Sequence, residues 1–152
     1  MKTFMQLVEL TAKNITEIMP WDLEEKLNSD KPPMLVDIRE PYEYEAMHIK
    51  DSLMVPRGIL ETACEFNFEE TIPMLAEARK KEIIVICRSG NRSVMAAATM
   101  QELGYSQVAS LKTGLRGWND YEQPLTNNNN QIVDIEEADS YFKNVLRPEQ
   151  ER

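Results

Sequence analysis

The chain is poor in the residues that build disulfide frameworks and metal centres. Its 152 residues hold two cysteines, Cys64 and Cys87, and one histidine, His48. Two cysteines do not make a disulfide scaffold. Together with His48 they spread over about forty residues and fall short of the four close ligands of a zinc site. The expectation is no metal, no resident cofactor and a reducing, cytoplasmic setting. Long apolar runs are also missing, since nothing approaches the ~20 residues of a membrane span. The opening MKTFMQLVELTAKN has no extended apolar core and no small-residue cleavage site, so it reads as a mature, non-secreted N-terminus. Positive charge is scarce: 17 Lys and Arg stand against 26 Asp and Glu, a net of −9. That balance argues against nucleic acid, whose phosphates demand clustered bases, and favours solubility.

What is present is ordinary globular material, with 42% hydrophobic and 28% charged residues. The length suits one domain with a core large enough to need no staples. Met1 to Lys13 reads as a short helix, giving an N-terminal extension over 1–14. Ile15 to Ile18, Met34 to Ile38, Ser52 to Pro56, Glu82 to Ile86 and Gln107 to Leu111 read as strands, several with the continuous apolar character of strands covered on both faces. Between them lie helical patterns. One runs from Pro20 and one is a short turn from Pro41. One carries Ile59, Leu60, Ala63 and Cys64, and another spans EETIPMLAEARKK. A longer one runs from Asn91 to Leu103, closed by Gly104. GLRGWNDY makes a turn and a last core helix. Alternating strands and helices predict a three-layer α/β domain over 15–125, with a mostly parallel sheet of about five strands flanked by helices. The remainder, 126–152, reads as a polar asparagine linker and an amphipathic helix. Asp134 caps that helix, and its stripe is Ile135, Ala138, Phe142, Val145 and Leu146.

Chemistry concentrates where EIIVI runs into CRSGNRS. In open α/β sheets, ligands bind beyond the carboxyl ends of strands, which is where Cys87 falls. A loop as short as Arg88 to Arg92 curls its backbone N–H groups around the sulfur, and the next helix adds its positive end. Both favour a thiolate. Arg88 and Arg92 supply charge for an anionic substrate, and Gly90 permits a backbone angle that a Cβ resists.

CRSGNRS (Cys87 to Ser93), VDIREPYEYEAMHI (Val36 to Ile49) and GLRGW (Gly114 to Trp118) occur in the order and at the spacing of the rhodanese family, which the sequence resembles over one complete domain. The resemblance implies a sulfurtransferase whose cysteine, here Cys87, takes a sulfane sulfur as a persulfide and passes it to cyanide or a thiol. It implies that Arg88, Ser89, Gly90, Asn91 and Arg92 hold the persulfide and the donor anion, and that Asp37 and Arg39 brace the site. Its partners are a small sulfur donor such as thiosulfate, a thiol or cyanide acceptor, and a sulfur-relay protein. The chain departs from the family pattern around its histidine, with Met47 before His48 and Lys50, Asp51 and Ser52 after Ile49. Asp51 tolerates a left-handed turn.

Two other functions compete. A cysteine-loop phosphatase or arsenate reductase needs five residues between cysteine and arginine to ring a tetrahedral oxyanion, whereas here there are four, Arg88 to Asn91. A non-enzymatic binding module of the same fold would not need an intact Cys87. Elsewhere the plainer readings hold. Cys64 on its helical stripe packs in the core, and His48 makes structural hydrogen bonds. Arg92 is expected to pair with Asp37 or Glu40, and Asp37 with Arg39.

Overall fold

The computed structural model of the chain describes residues 1–152. Five strands form one sheet: β1 (Thr16–Ile18), β2 (Met34–Asp37), β3 (Leu53–Met54), β4 (Glu82–Ile86) and β5 (Gln107–Leu111), in the order β1-β5-β4-β2-β3. All four pairings are parallel. After β2 the chain leaves toward one edge of the sheet, and after β4 toward the other. The carboxyl ends of β2 and β4 therefore face a crevice at a topological switch point.

The strand period of two divides the core. In β4, Ile83 and Val85 face one layer while Ile84 and Ile86 face the other. The first layer is closed by α1 (Phe4–Ala12), α4 (Leu60–Ala63), α5 (Pro73–Ala76) and α6 (Arg92–Glu102). The second is closed by α2 (Pro20–Leu27), α7 (Gly114–Asp120) and α8 (Ile135–Tyr141). A short helix, α3 (Pro41–Ala46), follows β2 at the crevice. Helix starts follow local chemistry. Thr3 and Gln6 make a reciprocal capping box on α1. Proline opens α2, α3 and α5, where its missing N–H costs nothing. The same rule shortens one sequence expectation. The helix read across EETIPMLAEARKK begins only at Pro73 and spans four residues, because proline is excluded from a helix interior.

The departures around His48 are absorbed. Met47 is buried in extended backbone that any residue adopts (φ −169°), so glycine is not needed there. Asp51 takes the left-handed conformation at φ 66°, and the turn is closed by the Ser52 hydroxyl donating to Ile49 O and Tyr44 Oη–H donating to Ser52 O.

The C-terminal segment folds back onto the sheet domain. Thr126 forms an antiparallel bridge with His48 and another with Ile132. The asparagine run between is a closed turn, in which Asn127 Oδ1 accepts the N–H groups of Asn129 and Gln131. Asp134 caps α8 through its Oδ1 and the Glu136 N–H at 2.8 Å. Of the expected apolar stripe, only Ala138 and Phe142 are buried, against Leu115 and Trp118. Val145 is 80% exposed, and Ile135 and Leu146 are exposed too. The periodicity extends past the helix, which stops at Tyr141, so the later apolar residues have no helical face to share. An isolated seven-residue helix is marginal in water, and Phe142 is the anchor that makes it stable. Phe142→Ala is expected to cost about 3 kcal/mol, while Val145→Ala should be silent; thermal melts of the two variants check this ordering.

Candidate active site

Cys87 follows β4 directly and is 1% exposed. Its sulfur is the hub of a short hydrogen-bond chain. Gly90 N–H donates to Sγ at 3.1 Å and Ser93 N–H at 3.3 Å. The thiol faces Ser93 Oγ at 3.3 Å, which in turn meets Ser110 Oγ at 2.7 Å. Both serines are fully buried. The main-chain N–H groups of Arg88, Ser89, Asn91 and Arg92 have no acceptor within the protein. The loop thus offers two amide donors to the sulfur and four more N–H groups without a partner, and the helix α6 begins immediately after it.

Two glycines make this curl possible. Gly90 has φ +87°, and a Cβ there would lie 2.8 Å from Thr113 N. Gly114, at φ +60°, packs so closely that a Cβ would lie 2.5 Å from the Arg88 carbonyl. That contact seats the start of α7 against the loop, where Leu115 N–H donates to Cys87 O and Arg116 N–H to Arg88 O, each at 3.0 Å. The GLRGW segment is therefore a brace for the loop as well as core packing, with Trp118 buried below.

The side chains of Arg39, Arg92 and Arg88 differ in what they bond. Arg39 is completely buried and forks onto Asp37, with Nη2 at 2.9 Å from Oδ2 and Nε at 3.0 Å from Oδ1. Its Nη2 also donates to Met47 O, tying β2 to the turn before His48. This is the expected Asp37–Arg39 pair. Arg92 behaves differently from expectation. Its partner is Glu43, through two bonds of 2.9 Å, and neither Asp37 nor Glu40. Asp37 is already engaged by Arg39, and Glu40 lies at the exposed start of α3. Glu43, at the third position of α3, also accepts the Glu40 N–H and reaches inward to the loop. Arg88 has no carboxylate partner. Its Nη2 donates to the main-chain carbonyls of Lys143 at 3.0 Å and Tyr141 at 3.4 Å.

Burial works against the Glu43 carboxylate, but the hydrogen bonds from Arg92 and from the Glu40 backbone, with the Arg92 and Arg39 charges, outweigh it and hold the carboxyl below its usual range. Arg92 is driven the other way, upward, chiefly by its bond to Glu43. Cys64 lies outside the loop, in the core beside α4. It is fully buried, receives no loop amides, and burial pushes its thiol up. His48 makes a structural contact, its Nδ1–H donating to Tyr44 O at 2.7 Å and its ring stacked on Tyr44 at 3.8 Å. No group of His, Cys, Asp and Glu is arranged to hold a metal ion. No helix is long and apolar enough to cross a membrane.

A cysteine in an amide-lined loop at the switch point of a parallel sheet, with a buried Asp–Arg pair on the neighbouring strand, describes a cysteine-centred α/β domain, and comparison with known proteins makes the class specific. The sequence model of the rhodanese-like domain matches residues 19–121. The chain belongs to the rhodanese-like domain family. It is 36% identical over 108 residues to a Bacillus subtilis protein named "Putative sulfur carrier protein YrkF", covering 70% of this chain and 52% of that protein. It thus spans about half the length of that relative. A protein of Allochromatium vinosum named "Sulfurtransferase" is 29% identical, with 73% of this chain and 94% of that protein covered. Among solved structures, a Rhodopseudomonas palustris protein of unknown function, described as a possible tyrosine phosphatase, superposes with a TM-score of 0.71 at 28% identity, covering 82% of this chain and 94% of that one.

The sequence reading missed Glu43, Ser93 and Ser110. Ser110 had a signal, being the polar residue in the buried strand QVASL, one strand over from Cys87. Because Glu43 has a lowered carboxyl, the Glu43–Arg92 bond adds stability above the unfolded carboxylate's value of about 4.3 and loses it as pH falls below that. Glu43→Gln should therefore lower Tm by a few degrees near pH 7, with the gap to the parent closing below about pH 4; calorimetry across pH 3–7 checks the sign.

Proposed function

We propose that the protein is a sulfurtransferase in which Cys87 carries a sulfane sulfur as a persulfide. The observation that carries this reading is the set of main-chain N–H groups around Sγ: two already donate to it, and four have no other acceptor. An anion at this position would gain hydrogen bonds without breaking any. Charge-assisted bonds of this kind are roughly twice as strong as neutral ones. The names of the sulfur-carrier and sulfurtransferase relatives support the same assignment.

In the proposed cycle the Cys87 thiolate attacks the outer sulfur of thiosulfate. A Cys–S bond forms, the donor's S–S bond breaks, and sulfite leaves with the electron pair. Cyanide or a thiolate then attacks the outer sulfur of the persulfide, and the pair of the broken S–S bond returns to Cys87. Arg88, the loop cation without a carboxylate partner, binds the anionic donor. Ser89, Gly90, Asn91 and Arg92 offer their amides to the outer sulfur. Ser93 and Ser110 form a hydroxyl pair able to turn its donors toward Sγ when the thiol loses its proton, with Ser110 donating to Ser93 and Ser93 to the sulfur. Asp37 and Arg39 hold the floor. No metal or cofactor takes part, and a relay protein accepting the sulfur fits the same chemistry.

The phosphatase description of the R. palustris structure is the specific reason to weigh a second reading. Two features oppose it here. Four residues separate Cys87 from Arg92, a small ring for a tetrahedral oxyanion. The carboxylates of Asp37 and Glu43 are held in arginine pairs, which occupies them as general acids for a phosphate leaving group.

Intact-mass spectrometry after incubation with thiosulfate tests the proposal. The parent and Cys64→Ser should each gain one sulfur that cyanide removes, and Cys87→Ser should gain none. Ser93→Ala should load about tenfold more slowly, the scale of one hydrogen bond to a charged group. Aryl-phosphate hydrolysis should be negligible. Phosphate release without sulfur uptake would overturn the assignment.

A further inference from the structure

Arg88 is the loop cation left without a carboxylate, yet it does not hang free. Its Nη2 is held by two main-chain carbonyls, Tyr141 O and Lys143 O, that lie beyond the 19–121 family match. Those carbonyls are themselves fixed. Phe142, between them, is 3% exposed in the layer with Leu115 and Trp118. Asn119 Nδ2 donates to Asp139 Oδ1 at 2.6 Å, fastening α8 to α7, the same helix whose start seats the reactive loop. The Tyr141 ring packs edge-on to Phe142. Burial pushes its phenol up, while the Arg39 charge lowers it and that of Glu43 raises it, so the ring sits within the field of the crevice.

Carbonyls neutralise nothing. They orient the guanidinium and leave its full charge, with its Nε and Nη1 donors making no hydrogen bond within the protein. A guanidinium fixed in this way presents its charge and its free Nε and Nη1 donors to an anion without the entropy loss of ordering a free arginine. We infer that the segment Tyr141–Lys143 is part of the active site: it positions Arg88, and thereby sets the affinity for the anionic sulfur donor. The inference rests on the sulfur-transfer reading for the identity of the anion, but not for the existence of the anion site. Arg88 is the binding residue; the tail is a positioning element acting through it.

The test is a glycine inserted between Phe142 and Lys143, which keeps Phe142 in its pocket and displaces the Lys143 carbonyl. Two readouts are taken. One is the sulfate concentration that halves the rate of Cys87 alkylation by iodoacetamide, a neutral reagent that the arginines do not steer. The other is the KM and kcat for thiosulfate. The insertion should raise the half-protecting sulfate concentration and the thiosulfate KM about three- to tenfold, the scale of one side chain left to be ordered on binding, with kcat unchanged. Arg88→Met should give a similar rise, and the double variant no more than either alone, because both act on one interaction. Unchanged or lowered values in the insertion variant, or effects that add in full to Arg88→Met, would overturn the inference. The sulfate readout keeps the two readings apart. A parent that takes up no sulfur from thiosulfate but shows the tail-dependent sulfate effect removes the sulfur donor, and leaves the tail's role standing.

Discussion

The arrangement depends on the loop after β4 bending back so that its own amides reach the sulfur at its start. A β-strand presents its side chains perpendicular to the chain, and nothing in a regular strand lets a main-chain N–H meet the side chain three residues earlier. Here Gly90 does so at 3.1 Å, and Ser93, six residues on, reaches the same sulfur at 3.3 Å. The bend needs a left-handed residue at Gly90 and a neighbour with no Cβ at Gly114, because the loop lies directly on the start of α7. The hydrogen bonds from Leu115 and Arg116 to the loop carbonyls complete the clamp. The carbonyls of Cys87 and Arg88 are turned to α7, while the N–H groups of Gly90 and Ser93 face the sulfur. One geometric choice orients both.

Electrostatics then sorts the three arginines by partner. Isolated charges do not tolerate burial, and a buried pair survives only with good geometry and further hydrogen bonds. Arg39 meets that condition with Asp37 and Met47 O, and so acts as structure. Arg92 meets it with both oxygens of Glu43. Arg88, half-exposed and held only by carbonyls, keeps its charge free of any carboxylate. Three cations that look alike in the sequence thus differ in what is bonded to them.

Much of this is legible in the amino-acid sequence. The strand EIIVI, the cysteine at its end and the glycine-containing loop declare themselves through period, position and composition, because those features are local. The parallel sheet followed from alternation of strands and helices. What stayed hidden is non-local. Glu43 reaches Arg92 across 49 positions, and Ser110 reaches Ser93 across 17. Nothing in single-chain spacing encodes such pairs. The tail shows the opposite error. Ile135, Val145 and Leu146 keep a helical period on paper, but a helix persists only while it has a surface to cover, and Phe142 is the last residue that finds one.

The central claim, that the loop amides are built around one negatively charged sulfur, is tested most directly by NMR. The backbone amide resonances of Ser89, Gly90, Asn91, Arg92 and Ser93 would be followed as the protein takes sulfur from thiosulfate and returns it to cyanide. Downfield proton shifts confined to these amides, appearing on loading, vanishing on discharge and absent in Cys87→Ser, are the predicted result. Sulfur uptake that leaves the loop amides unmoved would contradict the account.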